Sequence, residues 1–146
     1  MFIKFIQTGV LGVISIGMER RFIETLLGKP QDISVSKKPI TVKYGSMQLS
    51  FPSDNPNEKL ESINIYFDEA IEFPEQLFFE GWIPSRGTII KEFVRKTETF
   101  NIKLMEDPKH TLKNFQVGLK SEAEVIVIFV VEGGLEKLNS VHLSKL

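Results

Sequence analysis

The chain is expected to fold as an α+β domain made of two tandem helix-plus-antiparallel-sheet units of about 75 residues, 1–75 and 76–146, sharing one core. Three observations predict this. Residues 14–30, ISIGMERRFIETLLGKP, read as a helix with its own start and stop. Residues 40–67 alternate apolar and polar side chains in three runs, the period of half-buried strands. Residues 86–143 then repeat the order, one helical stretch followed by three strand-like runs.

In the first helix Phe22, Ile23, Leu26 and Leu27 recur at the spacing of one helical face and are expected in the core. Gly28 supplies a left-handed closing residue and Pro30 prevents continuation. On this reading Leu26→Ala costs about 2–5 kcal/mol. A polar connector, Lys29 to Pro39, leads to ITVKYG and SMQLSF, joined through a turn at Gly45-Ser46. After the turn-rich PSDNPNEK, LESINIYF resumes the alternation. In the second half RGTIIKEFVRKTET places Ile89, Ile90, Phe93 and Val94 on one face, and NFQVGLK alternates. VIVIFVV at 125–131 is continuously apolar and β-branched, as in a central strand covered on both faces. Gly133-Gly134 turns the chain into LEKLNSVHL. At an offset of 75 residues Leu60-Glu61-Ser62-Ile63 aligns with Leu135-Glu136-Lys137-Leu138, Val42 with Val117, and Tyr44 with Leu119. One helix on three strands makes a poor core, so two such units sharing one sheet or packing together account for the length.

Composition narrows the function. A chain that is 42% hydrophobic and 25% charged has enough apolar residues to fold. Its net charge of −1 argues against a nucleic-acid partner. Residues 1–82 carry 8 Lys/Arg against 11 Asp/Glu and residues 83–146 carry 10 against 8, which places the acidic excess in the first part. The absence of cysteine removes disulfides, thiolate nucleophiles, zinc–thiolate sites and a lipoprotein anchor. The N-terminal MFIKFIQTGVLGVISIGM is interrupted by Gln7, Thr8 and Ser15 and lacks a small-residue cleavage site, so it does not read as a secretory signal. No apolar run approaches the ~20 residues that span a bilayer. A cytoplasmic protein without a membrane partner is the expectation.

Residues 17–30, Gly-Met-Glu-Arg followed by Leu26-Leu27-Gly28-Lys29-Pro30, resemble the GM-[ST]-R-x-x-V-x-x-LLG-x-P signature of β-lactamase-inhibitor-like and SmpA/OmlA-type domains. Glu19 departs from the Ser or Thr usual in that family, and caps a helix less well. The resemblance implies a non-catalytic binding module in tandem organisation, one that uses the exposed side of a sheet or a loop to cover another protein's site. Without cysteine, the membrane anchoring of the SmpA/OmlA lipoproteins does not carry over.

Candidate chemistry is sparse. His110 and His142 are the only histidines and neither has a carboxylate at a familiar metal spacing, so both read as loop or strand-surface residues. Gly9, Gly12 and Gly17 form neither a dinucleotide fingerprint nor a phosphate loop. No cofactor, metal or catalytic group is expected. The distinctive stretch is 61–82, ESINIYFDEAIEFPEQLFFEGW, where six acids and no Lys or Arg interleave with aromatics. It reads either as a solvated linker whose aromatics pack inward or as a partner surface. As a surface, Asp68, Glu69, Glu72, Glu75 and Trp82 would face a basic partner protein. The expected function is a non-catalytic inhibitor or immunity-type protein that occludes a toxin or enzyme. A small-molecule or lipid-binding domain is the alternative, its cavity lined by the apolar N-terminus and the Phe-rich stretch.

Overall fold

In the computed structural model, which describes residues 1–36, 38–68 and 70–145, the alternating runs become strands. The first half supplies β1 (Asp32–Ser34), β2 (Ile40–Tyr44), β3 (Met47–Phe51) and β4 (Ser62–Tyr66). The second supplies β5 (Met105–Glu106), β6 (Gln116–Lys120), β7 (Ile126–Glu132) and β8 (Leu135–Ser144). Three short helices accompany them: α1 (Phe2–Thr8), α2 (Arg20–Leu27) and α3 (Ile90–Glu98). The strands form one eight-stranded sheet in the order β1-β2-β3-β4-β8-β7-β6-β5, every pair antiparallel.

This corrects the expected architecture of two tandem helix-plus-sheet units. β4 and β8 are not outer edges of separate sheets; they pair with each other from Ser62↔Ser144 to Tyr66↔Ser140. An exposed strand edge leaves its N–H and C=O groups unpaired, and joining the two edges removes that cost for both halves at once. The apolar side of each strand then faces a single core. Val42, Leu49, Ile63 and Ile65 lie in the same buried cluster as Val127, Phe129 and Val141.

The helices and the 67–89 connection cover only that apolar side. α1 gives the N-terminal apolar run a role the sequence did not suggest, burying Phe2, Phe5 and Ile6. Gly9, at φ 79, ends it in the left-handed conformation. Phe2 meets Phe67, Trp82 and Phe93 edge-on at centroid distances of 5.8, 6.0 and 6.2 Å, and Phe93 meets Phe129 at 5.4 Å. These rings tie α1, α3 and the connection to β7.

The helix expected over residues 14–30 is reduced to α2, and its buried face is turned relative to expectation. Ile23 and Leu27 are buried, whereas Phe22 is 54% and Leu26 40% exposed. The cause lies just upstream. Gly17 N–H donates to the Leu60 carbonyl and Leu60 N–H to that of Met18, and Glu19 forms an antiparallel bridge with Lys59. Arg20 and Arg21 N–H groups donate to the carbonyls of Glu58 and Pro56, which satisfies the first helical donors without a capping side chain. Glu19 is the N-cap residue and makes no such bond; its carboxylate accepts from Arg21 Nε instead. The Arg20 guanidinium, buried, donates to Asp54 and Glu24. That anchor fixes the rotation of α2 and leaves Leu26 on the solvent side.

Tyr44 closes the other end of α2. Its phenol donates to the Gly28 carbonyl at 2.8 Å, and burial first and the Glu24 carboxylate second push its pKa up to about 12. β7, expected to be covered on both faces, has Val127 and Phe129 fully buried on the helical side, while on the other side Ile128 is buried as well and Ile126 half-buried.

Two predictions follow from this packing. Ile23→Ala should lower stability by about 2–5 kcal/mol in chemical denaturation, and Leu26→Ala by less than about 1 kcal/mol. Tyr44→Phe should cost about 1 kcal/mol at neutral pH. The raised phenol of the wild type stabilises the fold fully below pH 10, its ordinary value, and loses that contribution as the pH rises toward 12, so alkaline destabilisation in this interval should be weaker in Tyr44→Phe.

Candidate functional site: the open face of the sheet

Strand alternation sends every second side chain to the face that no α-helix covers. On β3 these are Gln48 and Ser50, on β4 Ser62, Asn64 and Tyr66. On β8 they are Ser140, His142 and Ser144, and on β7 Ile126 and Ile128. None of these ten side chains is formally charged in the neutral imidazole state of His142. The flanks carry the charges: Asp32 and Lys43 on β1 and β2, Lys120 on β6, and Lys137 beyond a register shift between Ile128 and Phe129. Solvent faces of antiparallel sheets are ordinarily covered by long charged side chains, and an uncharged centre is the composition of a contact surface.

The central side chains hold one another in a hydrogen-bonded line across the β4–β8 seam. Asn139 Nδ2 donates to Ser140 Oγ at 3.1 Å, and Ser140 Oγ lies 2.7 Å from His142 Nε2. His142 Nδ1 lies 2.7 Å from Asn64 Oδ1, and Asn64 Nδ2 donates to Ser62 Oγ at 3.3 Å. Asn64 Oδ1 can only accept, so Nδ1 carries the imidazole proton and Nε2 accepts from the Ser140 hydroxyl. Burial, and secondarily the nearby His110, lower the His142 pKa and favour this neutral form. Tyr66 packs edge-on against the imidazole at 5.6 Å.

A serine, a histidine and an amide in line is also the order of groups that activates a nucleophile. Here Ser140 is only 2% exposed and sits in mid-strand, paired on one side with Tyr66 and on the other with Ile128. Neighbouring backbone N–H groups therefore serve the ladder rather than a developing oxyanion. The arrangement orders a surface more readily than it performs a reaction.

His110 reaches the same face from a one-turn 3-10 helix, Pro108–His110, that lies against β6. A Cβ on Gly118 would stand 2.5 Å from the His110 Cβ, so only glycine lets this turn approach. His110 Nδ1 is 2.6 Å from Asp107 Oδ2, and this bond holds the Asp107 carboxyl below its ordinary range. The Asp107–His110 pair was not anticipated from the sequence, although the two residues stand three apart.

The acidic stretch is divided by the structure. Asp68, Glu72 and Glu75 are exposed, whereas Glu69 lies outside the described residues. Trp82 is half-buried against Phe2 and Phe93, with the Lys96 ammonium 5.9 Å from its ring centroid, so it serves the core rather than standing among the acids as a free anchor. Phe73 and Phe79 stack on each other at 3.8 Å. The stretch is pinned to the β2–β3 turn: Ser46 N–H donates to the Glu72 carbonyl and Glu72 N–H to Ser46 Oγ. Gly45 is required there, since a Cβ would meet the Glu72 carbonyl oxygen at 2.4 Å in a backbone of φ 61. The acids thus project from a fixed rim beside the end of β2 and β3.

A cleft of about 670 Å³ lies elsewhere, between the 106–114 segment and β6–β8, with Glu106, Lys113, Gln116, Val131 and Glu136 among its lining. Neither the N-terminal run nor the Phe-rich stretch contributes to it. Among the described residues no helix is long and apolar enough to cross a membrane.

The lowered pKa of His142 makes a signed prediction. The fold resists its protonation, so its contribution to stability is present above the ordinary value of about 6.5 and is lost as the pH falls below that, down to the folded-state value. His142→Gln should flatten stability against pH in this window, as read by denaturant midpoints between pH 7.5 and 5.

No family model, curated protein or solved structure matches the chain.

Proposed function

We propose that this chain is a non-catalytic, cytoplasmic protein-binding module of inhibitor or immunity type, which covers a site on a partner protein with the open face of its sheet. The observation that carries this reading is the uncharged centre of that face, framed by charges on its flanks. A surface of Ser, Asn, Gln, Tyr and His presents donors and acceptors that shed water cheaply, while the half-buried Ile126 supplies apolar area. The charge-free centre avoids the cost of burying an unpaired ion on docking. The resemblance of residues 17–30 to β-lactamase-inhibitor-like domains supports the same class.

The exposed acids Asp68, Glu72 and Glu75 have a secondary part on this reading. Rim charges act on the encounter rate and its salt dependence more than on the final contacts. They favour a partner that is basic at its margin and uncharged where it meets the sheet.

A test is co-expression with the product of the adjacent reading frame, followed by binding kinetics of purified variants. Gln48→Lys with Ser50→Lys introduces two cations into half-buried positions of the face without touching the core. Affinity should fall by about a hundredfold, chiefly through faster dissociation. Neutralising Asp68, Glu72 and Glu75 should instead slow association by roughly tenfold and flatten its salt dependence. A complex that tolerated the double lysine variant with unchanged affinity would place the interface elsewhere and overturn the assignment of the face.

A further inference from the structure

We propose that the open face carries a one-proton switch, in which protonation of His142 reverses its hydrogen bond with Ser140 and converts the uncharged centre of the sheet into a cationic one. The inference concerns the chain alone and holds whether or not the face binds a protein.

The geometry leaves little freedom. In the neutral state both ring nitrogens are engaged within the face, Nδ1–H donating to Asn64 Oδ1 and Nε2 accepting from Ser140. A proton from solvent can enter only at Nε2, which then becomes a donor. Ser140 Oγ already accepts from Asn139 Nδ2. With Nε2–H donating to it as well, its own hydroxyl proton must turn away from the imidazole and out of the line. One proton thus places a positive charge at the centre of the face and reverses the direction of one hydrogen bond, while the Asn64 contact survives.

Among the described residues no carboxylate pairs with the His142 imidazole, whose two nitrogens meet only Asn64 and Ser140. From β4 the titratable neighbour is Tyr66, a phenol. Across β7, whose facing residue in this register is Ile126, stands Lys120 on β6. From the 3-10 turn comes His110, which disfavours the charged form of His142. The carboxylate of Asp107 is engaged by the imidazole of His110. Lys145 and Glu61 lie at the far end, beside Ser62 and Ser144. Burial first, and the neighbouring His110 second, therefore put the switch on the acid side of the ordinary histidine range.

The experiment is a pH titration of the uniformly ¹⁵N-labelled protein between pH 8 and 4.5, following the imidazole nitrogens and the side-chain amides. At pH 8 His142 should show the Nδ1–H tautomer, and its midpoint should lie below about 6.5. Side-chain signals of Asn139 and the backbone signal of Ser140 should move with that midpoint. His110→Gln removes the neighbouring imidazole and should raise the His142 midpoint. Ser140→Ala removes the acceptor for Nε2–H and should lower it, with the dispersed spectrum of the fold retained. The proposal is overturned by an Nε2–H tautomer at pH 8, by a midpoint at or above the ordinary value, or by a His142 midpoint that ignores both variants. A variant that loses the dispersed spectrum is replaced by Ser140→Thr, which keeps the hydroxyl and should leave the midpoint near that of the wild type; a large displacement there also counts against the relay.

Discussion

The antiparallel pairing of β4 with β8 is the interaction on which the rest of the structure depends. It joins residues 62–66 to residues 140–144, segments almost 80 positions apart, and turns two sets of strands into one sheet. On its helical side the seam sets Ile63 against Leu143 and Ile65 against Val141, all buried. On its open side it sets Asn64 against His142 and Tyr66 against Ser140. One register thus builds the middle of the core and the middle of the candidate site together. A shift of one residue would carry Asn64 and His142 into the apolar layer and expose the isoleucine and valine, so the register is specified from both sides.

Protection of the sheet's two outer margins follows a different logic from that of its centre. One margin is β1, only three residues long, too short to template much further pairing. At the other, the chain folds back on itself: Asp107 N–H donates to the Gly118 carbonyl, and Leu112 pairs with Gln116. The same turn delivers His110 to the open face over Gly118, so closing an edge and equipping the site are done by one segment. Covering material is otherwise concentrated on the apolar side, where the aromatic cluster around Phe2 and Phe93 joins the N-terminus, the connection and the second half.

Asymmetry between the two faces gives the molecule its functional character. One face is closed by three helices and a connecting segment held by stacked aromatics. The other is left to short polar side chains that satisfy one another along a line from Asn139 to Ser62. Such a line restrains the side chains of the free protein, each held by its neighbour. It also concentrates the response to pH on a single imidazole in the middle of the surface.

Local patterns in the sequence determined much of the strand content. Period-two alternation marks β2, β3, β4, β6 and β8 within a few residues, because a strand in contact with one core must repeat every second side chain. The apolar run of β7 and the helical spacing of α3 were legible for the same reason. Short elements escaped: β1 and β5 are too brief to carry a period, and α1 hides in an apolar run whose Gln7 and Thr8 point outward. Only the tertiary structure decided that the halves form one sheet, since edge pairing depends on which strand ends meet and not on any local signal. It also decided the rotation of α2, where backbone donors of Arg20 and Arg21 answer to carbonyls at Glu58 and Pro56 and turn Leu26 outward. The candidate site belongs to this second class. The sequence singled out Asp68, Glu69, Glu72, Glu75 and Trp82 because acids and aromatics stand together in the chain, yet burial drew the indole into the core. Asn64 and His142 carry no joint signature in sequence, because what unites them is a single cross-strand contact made after the chain has folded.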